Sequence, residues 1–361
     1  MTSSDVDPYK LLCELIAIPS LSREEGPIAT FLHGWLTARG VSVVRMGNNL
    51  VATVEGRQPG PTFLLNSHMD TVPAKSGWDT DPWTPTLREG RLYGLGSGDA
   101  KASLTCMACA TARVAATGLE RGRLIFAATC MEEVSPTGLE EIIGELGHLD
   151  AALVGEPTSL QAAVAQGGLL ILEATAKGRT SHSARPHLGV NALTIAARDL
   201  VALDALKLER VHPFLGSSTA NVTVIQGGDR HNVIPDRCHY TIDIRYNPAY
   251  SAEELVSIID AATEADIRIR SKRLAPVETN PEGQLLDALR HAHPRAELFG
   301  SPTMSDWVFL KGVDAIKIGP GDSEQSHTPN ESMPVAHLEV AVPLYERTVR
   351  RYLAHADGAL T

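Results

Sequence analysis

The sequence predicts an α/β protein: a mixed sheet with helices on its two faces, interrupted by a smaller inserted α+β domain. Three observations carry that expectation. Helical and strand-like patterns alternate from Leu11 to Glu156. A second rhythm, β-α-β-β-α-β, runs from Leu169 to Leu274. Side chains of metal-binding type stand where apolar strands run out; they stop at Glu156 and resume at His327.

Taken in order, LLCELIAI and IATFLHGWLTA space their apolar residues as helices, whereas VSVVRM and LVATVEG read as strands. TFLLNSH is the next strand, followed by the helix KASLTCMACATARVAA, the strand LIFAATC, the helix TGLEEIIGEL and the strand AALVGE. In sheets of this kind ligands collect beyond the carboxyl ends of the strands, where His68, Glu132, Glu133 and Glu156 fall. At Gly167 and Gly168 the rhythm changes. LLILEATAKG is a strand, NALTIAARDLVALDAL a helix, STANVTVIQGG and HYTIDIRYN two strands, SAEELVSIIDAATEA a helix opened by a Ser251/Glu254 capping box, and DIRIRSKRL a last strand. That order is the ferredoxin-like split motif. The simplest organisation is a main domain built from residues 1–166 and 276–361, with residues 167–275 looped out between them.

Composition narrows the setting. A chain of 361 residues with 43% hydrophobic and 21% charged content reads as a globular protein of about two domains, on a prior of roughly 150 residues each. Lys and Arg number 32 against 43 Asp and Glu, a net charge of −11, which repels nucleic acid in the absence of any Lys/Arg run. The start, MTSSDVDPYKLLCELIAIPS, carries acidic residues where a secretory signal needs basic ones, and no apolar stretch approaches the ~18 residues that cross a bilayer. The cytoplasm is therefore the expected compartment, and no membrane partner is expected. Five scattered cysteines form no disulfide framework. Cys106 and Cys109 make a C-x-x-C that reads either as a redox or half-zinc motif or, better, as two packing residues on one face of an apolar helix.

Each candidate ligand also has a plain structural reading. An H-x-D such as His68 and Asp70 arises often by chance; in a metal site Asp70 would accept from the far ring nitrogen so that the other nitrogen faces the ion. Asp99, in YGLGSGDAKASL, follows glycines at alternate positions, which permit close backbone approach but also make ordinary turns. These glycines match neither G-x-G-x-x-G nor G-x-x-x-x-G-K-[ST], so a nucleotide-binding reading fails. The adjacent Glu132 and Glu133 after a buried strand repel each other and resist desolvation unless a cation compensates them or the turn is exposed. Glu156 repeats the situation after AALVG, and His327 follows a strand and a Gly/Pro turn. Carboxylate and imidazole together suit Zn²⁺, Co²⁺ or Mn²⁺, and five ligands with a spare Glu suffice for two ions and a base.

With these residues in place, the chain resembles the co-catalytic zinc aminoacylase and carboxypeptidase family, in its acetylornithine deacetylase and succinyl-diaminopimelate desuccinylase branch. The resemblance covers essentially the whole chain, through SHMDTVP, GSGDAKASL, CMEEVSPTGLE, VGEPT and SHTPNE. It implies a zinc exopeptidase-like catalytic domain with an inserted dimerisation domain, and a homodimer. It implies two zinc ions, with cobalt or manganese as alternatives: His68 and Glu156 on one, Glu133 and His327 on the other, Asp99 bridging them. Glu132 becomes the general base, and the Asp99–Ala100 peptide is expected to be cis. His182, otherwise a loop histidine, becomes a donor to the substrate carbonyl. Arg245 becomes, with Asn232, the clamp for a substrate α-carboxylate, although an Arg on the polar face of a strand is ordinarily solvated or paired with a neighbour.

The activity so implied is removal of an N-acyl group, acetyl foremost, from an amino acid such as N-acetylornithine, by attack of a dinuclear-metal hydroxide; this points to arginine biosynthesis. The desuccinylase branch typically carries a TSD-G-R-F pattern where this chain reads SPTMSDWVF, and the missing Arg weakens that reading. Related branches act on citrulline or lysine derivatives, and a dipeptidase or carboxypeptidase can use the same site. A binding protein that has lost catalysis would need a missing base or ligand, and all six positions are filled.

Overall fold

The computed structural model describes residues 6–135 and 137–355. Residues 1–5 of the first predicted segment, Pro136 of the CMEEVSPTGLE motif and residues 356–361 of the last segment lie outside the described residues. The chain divides into two compact units, one formed by Met1–Val164, Thr279–Phe299 and Ser305–Thr361, the other by Ala165–Glu278 and Gly300–Met304.

The first unit is built around one long strand, Asn49–His68. The sequence reads as two strands here, broken at the glycines and proline of residues 56–61. Instead the strand runs through them, keeping its parallel pairing to Leu119–Thr129 by shifting register. Gly56 and Gly60 permit this, because a Cβ on either would stand within 3.0 Å of the Arg121–Gly122 backbone. Ser42–Met46 pairs antiparallel on one side, while Ala151–Val154 and then Asp314–Lys317 add in parallel on the other, so the sheet is mixed as expected. Helix Lys101–Thr117 is buried along nearly its whole length, and its small residues allow that packing. Cys106 and Cys109 lie within it, free and buried, their thiols pushed up by burial. The packing reading of the C-x-x-C therefore stands.

In the second unit four strands lie in the order Thr219–Gly227, Arg237–Tyr246, Gly168–Lys177, Asp266–Leu274, all antiparallel. Alternate residues of the two central strands, Leu170, Leu172, Ala174 and Ala176 with Tyr240, Ile242, Ile244 and Tyr246, form one core with helices Ala192–Ala205 and Ala252–Ala262. Half of the expected capping box is present. The Ser251 hydroxyl accepts from the Glu254 N–H at 3.1 Å, but the Glu254 carboxylate turns to Arg210.

Candidate metal centre

Strand pairing assembles the site. His68 ends the long strand opposite Thr129, which sets the turn carrying Glu132 and Glu133 beside it. On the other side Asn66 pairs with Val154, and the Gly155 N–H continues the ladder to the Asn66 carbonyl at 2.7 Å, one residue before Glu156. Asp99 precedes helix Lys101–Thr117, and the Asp99–Ala100 peptide is cis, as expected.

Asp99 presents one oxygen to each histidine. Its Oδ1 lies 3.3 Å from His68 Nε2 and its Oδ2 lies 3.7 Å from His327 Nε2. A glutamate stands by each imidazole: Glu156 Oε2 at 3.8 Å from His68 Nε2, and Glu133 Oε2 at 2.7 Å from His327 Nε2. His68, Asp99 and Glu133 each offer a ligand atom within 4.8 Å of the others. His68 is buried, Glu133 and Asp99 nearly so, and His327 is partly open to solvent.

On the far side of His68, Nδ1 lies 3.0 Å from the Asp70 carbonyl oxygen and 3.4 Å from its Oδ1. Both are acceptors, so Nδ1 carries the proton and Nε2 is the nitrogen turned to Asp99 and Glu156. The far ring nitrogen therefore faces Asp70 as expected, with the main-chain oxygen nearer than the carboxylate. That carboxylate also accepts from the N–H groups of Glu132 and Glu133, each at 3.1 Å, and from the Ser22 hydroxyl at 2.6 Å. Burial alone would raise Asp70; the bonds from His68 and Ser22 hold it below its ordinary range.

The carboxylates of the site repel one another and resist burial. Burial pushes Glu156 up to about 8, with His68 opposing and Asp99 adding to the shift. Burial likewise raises Glu132 well above the usual carboxylate range, with Glu156, Asp306 and Glu133 adding their repulsion, and it raises Glu133. Carboxylates gathered at such cost call for positive charge, and the donor set of oxygen and imidazole nitrogen fits divalent cations.

Four residues of the surroundings were not singled out in the sequence. Buried Glu25 accepts the Met131 N–H at 3.1 Å, holding Met131 at φ 63° just before Glu132. Buried Asp306 accepts from Thr129 Oγ1 at 2.7 Å. Burial lowers Lys317 to about 8, against the pull of Glu156. Glu331 closes the SHTPNE motif and bonds the loop before Asp99. Of these only Glu331 and Asp306 lay in segments with a visible signal, the family-like motifs.

The remaining expected residues belong to the second unit. His182 pairs with Val233 in a short ribbon, and the Ser183 N–H donates to the Asn232 carbonyl at 3.0 Å, so His182 and Asn232 are neighbours. His182 Nδ1 accepts the Ala184 N–H at 3.1 Å, which leaves its proton on Nε2. Arg245 is exposed and forms a two-point ion pair with Asp243, Nε to Oδ1 at 2.8 Å and Nη2 to Oδ2 at 3.2 Å.

The family model described as Peptidase family M20/M25/M40 matches residues 64–351, a span that includes every one of these ligand positions. The chain belongs to that family. It is similar to an acetylornithine deacetylase of Myxococcus xanthus, 32% identical with 96% of this chain and 97% of that protein covered. A succinyl-diaminopimelate desuccinylase of Xanthomonas oryzae pv. oryzae is 29% identical, with 96% and 99% covered. Among solved structures, aminopeptidase PepT from Bacillus cereus superimposes with a TM-score of 0.81 at 22% identity, covering 96% of this chain and 99% of that one. The last likeness concerns the fold. By family the protein is a metallo-amidohydrolase, and none of its described helices is long and apolar enough to cross a membrane.

Proposed function

We propose that this protein hydrolyses the amide of an N-acyl amino acid, with N-acetylornithine as the foremost candidate. The observation that carries the reading is the disposition of Asp99, one oxygen toward each of two histidines that are each accompanied by a glutamate. Two zinc ions, or cobalt or manganese, would be held by His68 and Glu156, by Glu133 and His327, and by Asp99 in common. The chemistry supplied by bound cations is acidification of a water and polarisation of the scissile carbonyl.

Glu132 would take a proton from the attacking water and deliver it to the nitrogen of the leaving amine. The Asp70 carboxylate, bonded to the Glu132 and Glu133 N–H groups, fixes the turn that presents the base. His182, with its proton on Nε2, donates to the oxygen that becomes negative as the carbonyl is attacked. Arg245 exchanges Asp243 for the substrate α-carboxylate, with Asn232 as its companion, since a guanidinium fork serves either carboxylate equally. Strand Thr219–Gly227 ends its sheet and exposes Val224 and Ile225, and an open apolar edge of this kind suits pairing with a second copy in a homodimer.

The 29% identity to a desuccinylase favours a second substrate, N-succinyl-diaminopimelate. Assay of N-acetylornithine, N-acetylcitrulline, N-succinyl-diaminopimelate and simple dipeptides with added Zn²⁺ or Co²⁺ separates the readings. Turnover of the acetyl substrates foremost is expected; preference for the succinyl substrate or a dipeptide would overturn the deacetylase reading.

A further inference from the structure

Glu331 is 2% exposed, yet its carboxylate faces backbone donors. Oε1 accepts from the N–H groups of Gly98 at 2.7 Å and Asp99 at 2.9 Å, Oε2 accepts from Gly96 N–H at 2.9 Å, and the Glu331 carbonyl accepts from Gly94 N–H at 3.1 Å. The whole turn from Gly94 to Asp99 is thus wrapped around one residue. Gly96, at the middle of this turn, adopts a left-handed backbone of φ 78°, and a Cβ there would stand 2.7 Å from Thr71 Cγ2.

Glu331 also lies four positions after His327, in a loop fixed by its own bonds. Gln325 Oε1 accepts from the N–H and hydroxyl of Ser332 at 3.2 and 3.0 Å, and the Asn330 side chain clasps Asp79 through its N–H and its carboxylate, both at 2.9 Å. His327 and Asn330 each adopt a left-handed backbone, φ 62° and 61°, so this loop holds a shape that ordinary side chains rarely favour. One short segment therefore carries His327 at one end and, at the other, the carboxylate that anchors Asp99.

We propose that Glu331 is a positioning residue for the metal centre: it couples the Asp99 turn to the His327 loop so that the shared carboxylate is set at a fixed distance from the second imidazole. This rests on the proposed roles of Asp99 and His327. Only a glutamate fits the task. Both oxygens must accept, one of them from two N–H groups, and a glutamine would turn an NH₂ toward one set of donors. A core-filling residue would have no need of three bonds to one turn.

The test compares wild type, Glu331→Gln and Glu331→Ala by Zn²⁺ titration against a chromogenic chelator and by the visible absorption of the Co²⁺-loaded proteins. Affinity for at least one ion is expected to fall ~10–100-fold, the usual effect of losing an outer partner of a ligand, with a changed Co²⁺ spectrum. Lower melting of the metal-free protein alone, with wild-type affinity and spectrum retained in Glu331→Gln, would overturn the proposal. If Glu331→Ala does not fold, Glu331→Gln decides. Wild type that binds neither ion would instead defeat the underlying assignment of the site, and the role of Glu331 with it.

Discussion

Glu156 sits where burial holds its carboxyl up to about 8, so the metal-free protein carries a proton there at neutral pH. A cation that binds must displace it. Metal binding is therefore expected to release protons, and apparent affinity to fall as pH is lowered below about 8. Calorimetric titration of Zn²⁺ in buffers of different ionisation enthalpy measures that release; a buffer-independent heat would contradict it. The base is tested separately. Glu132→Gln keeps the size and the backbone bonds to Asp70 but cannot take a proton, so turnover should drop ~10²–10⁴-fold with metal stoichiometry unchanged. Full activity in that variant removes Glu132 from the chemistry. At this scale the sequence is legible where chemistry and strand ends coincide: His68, Glu133 and Glu156 end apolar runs, and His327 follows one through a turn, and the fold brings them together. Glu25 is not legible, because a carboxylate that bonds a distant backbone N–H leaves no spacing in the sequence; Asp306 lies in a family-like segment, but its bond to Thr129 leaves no spacing either. Asp70 was half legible: its place beside His68 follows from H-x-D, its grip on the Glu132–Glu133 turn does not.

Elements of the second unit are the most legible, since its two central strands bury one face and alternate strictly. The long strand Asn49–His68 was harder, because glycines and a proline signal a break that close pairing with the neighbouring strand overrides. Helix Ala252–Ala262 shows how far a local motif can be trusted. Ser251 caps it as expected, while Glu254 finds a stronger partner in Arg210. Ser251→Ala leaves the Glu254 N–H without that acceptor and should cost ~1 kcal/mol, read by denaturant unfolding. Tyr240→Phe probes the same core. The Tyr240 hydroxyl donates to Asp199 Oδ2 at 2.8 Å, and Asp199 Oδ1 accepts the Glu264 N–H at 2.8 Å. Loss of the hydroxyl leaves a buried carboxylate oxygen short of a donor, a loss of roughly 1–3 kcal/mol. A variant as stable as wild type would mean that water replaces the hydroxyl.

Over the whole molecule the candidate ligands come from separate stretches of the first unit, so cations bound there would tie those stretches together, whereas the second unit contains none of them. Ligand linkage gives about 2.7 kcal/mol of stabilisation at a free ion concentration of 100 times Kd. Chelation should therefore lower the melting temperature of the first unit by several degrees and leave the transition of the second in place, which scanning calorimetry resolves. The sign of the pH dependence follows from Glu156. Its carboxyl ordinarily titrates near 4.5 and is raised to about 8 in the fold, so between those values the native metal-free state binds more protons than the unfolded chain and loses stability as pH rises. Bound cations remove that loss by taking the place of the proton. The gap in melting temperature between metal-loaded and chelated protein should accordingly widen from pH 5.5 to pH 8, and a gap that narrows over this interval would contradict the release of a proton from the site on metal binding.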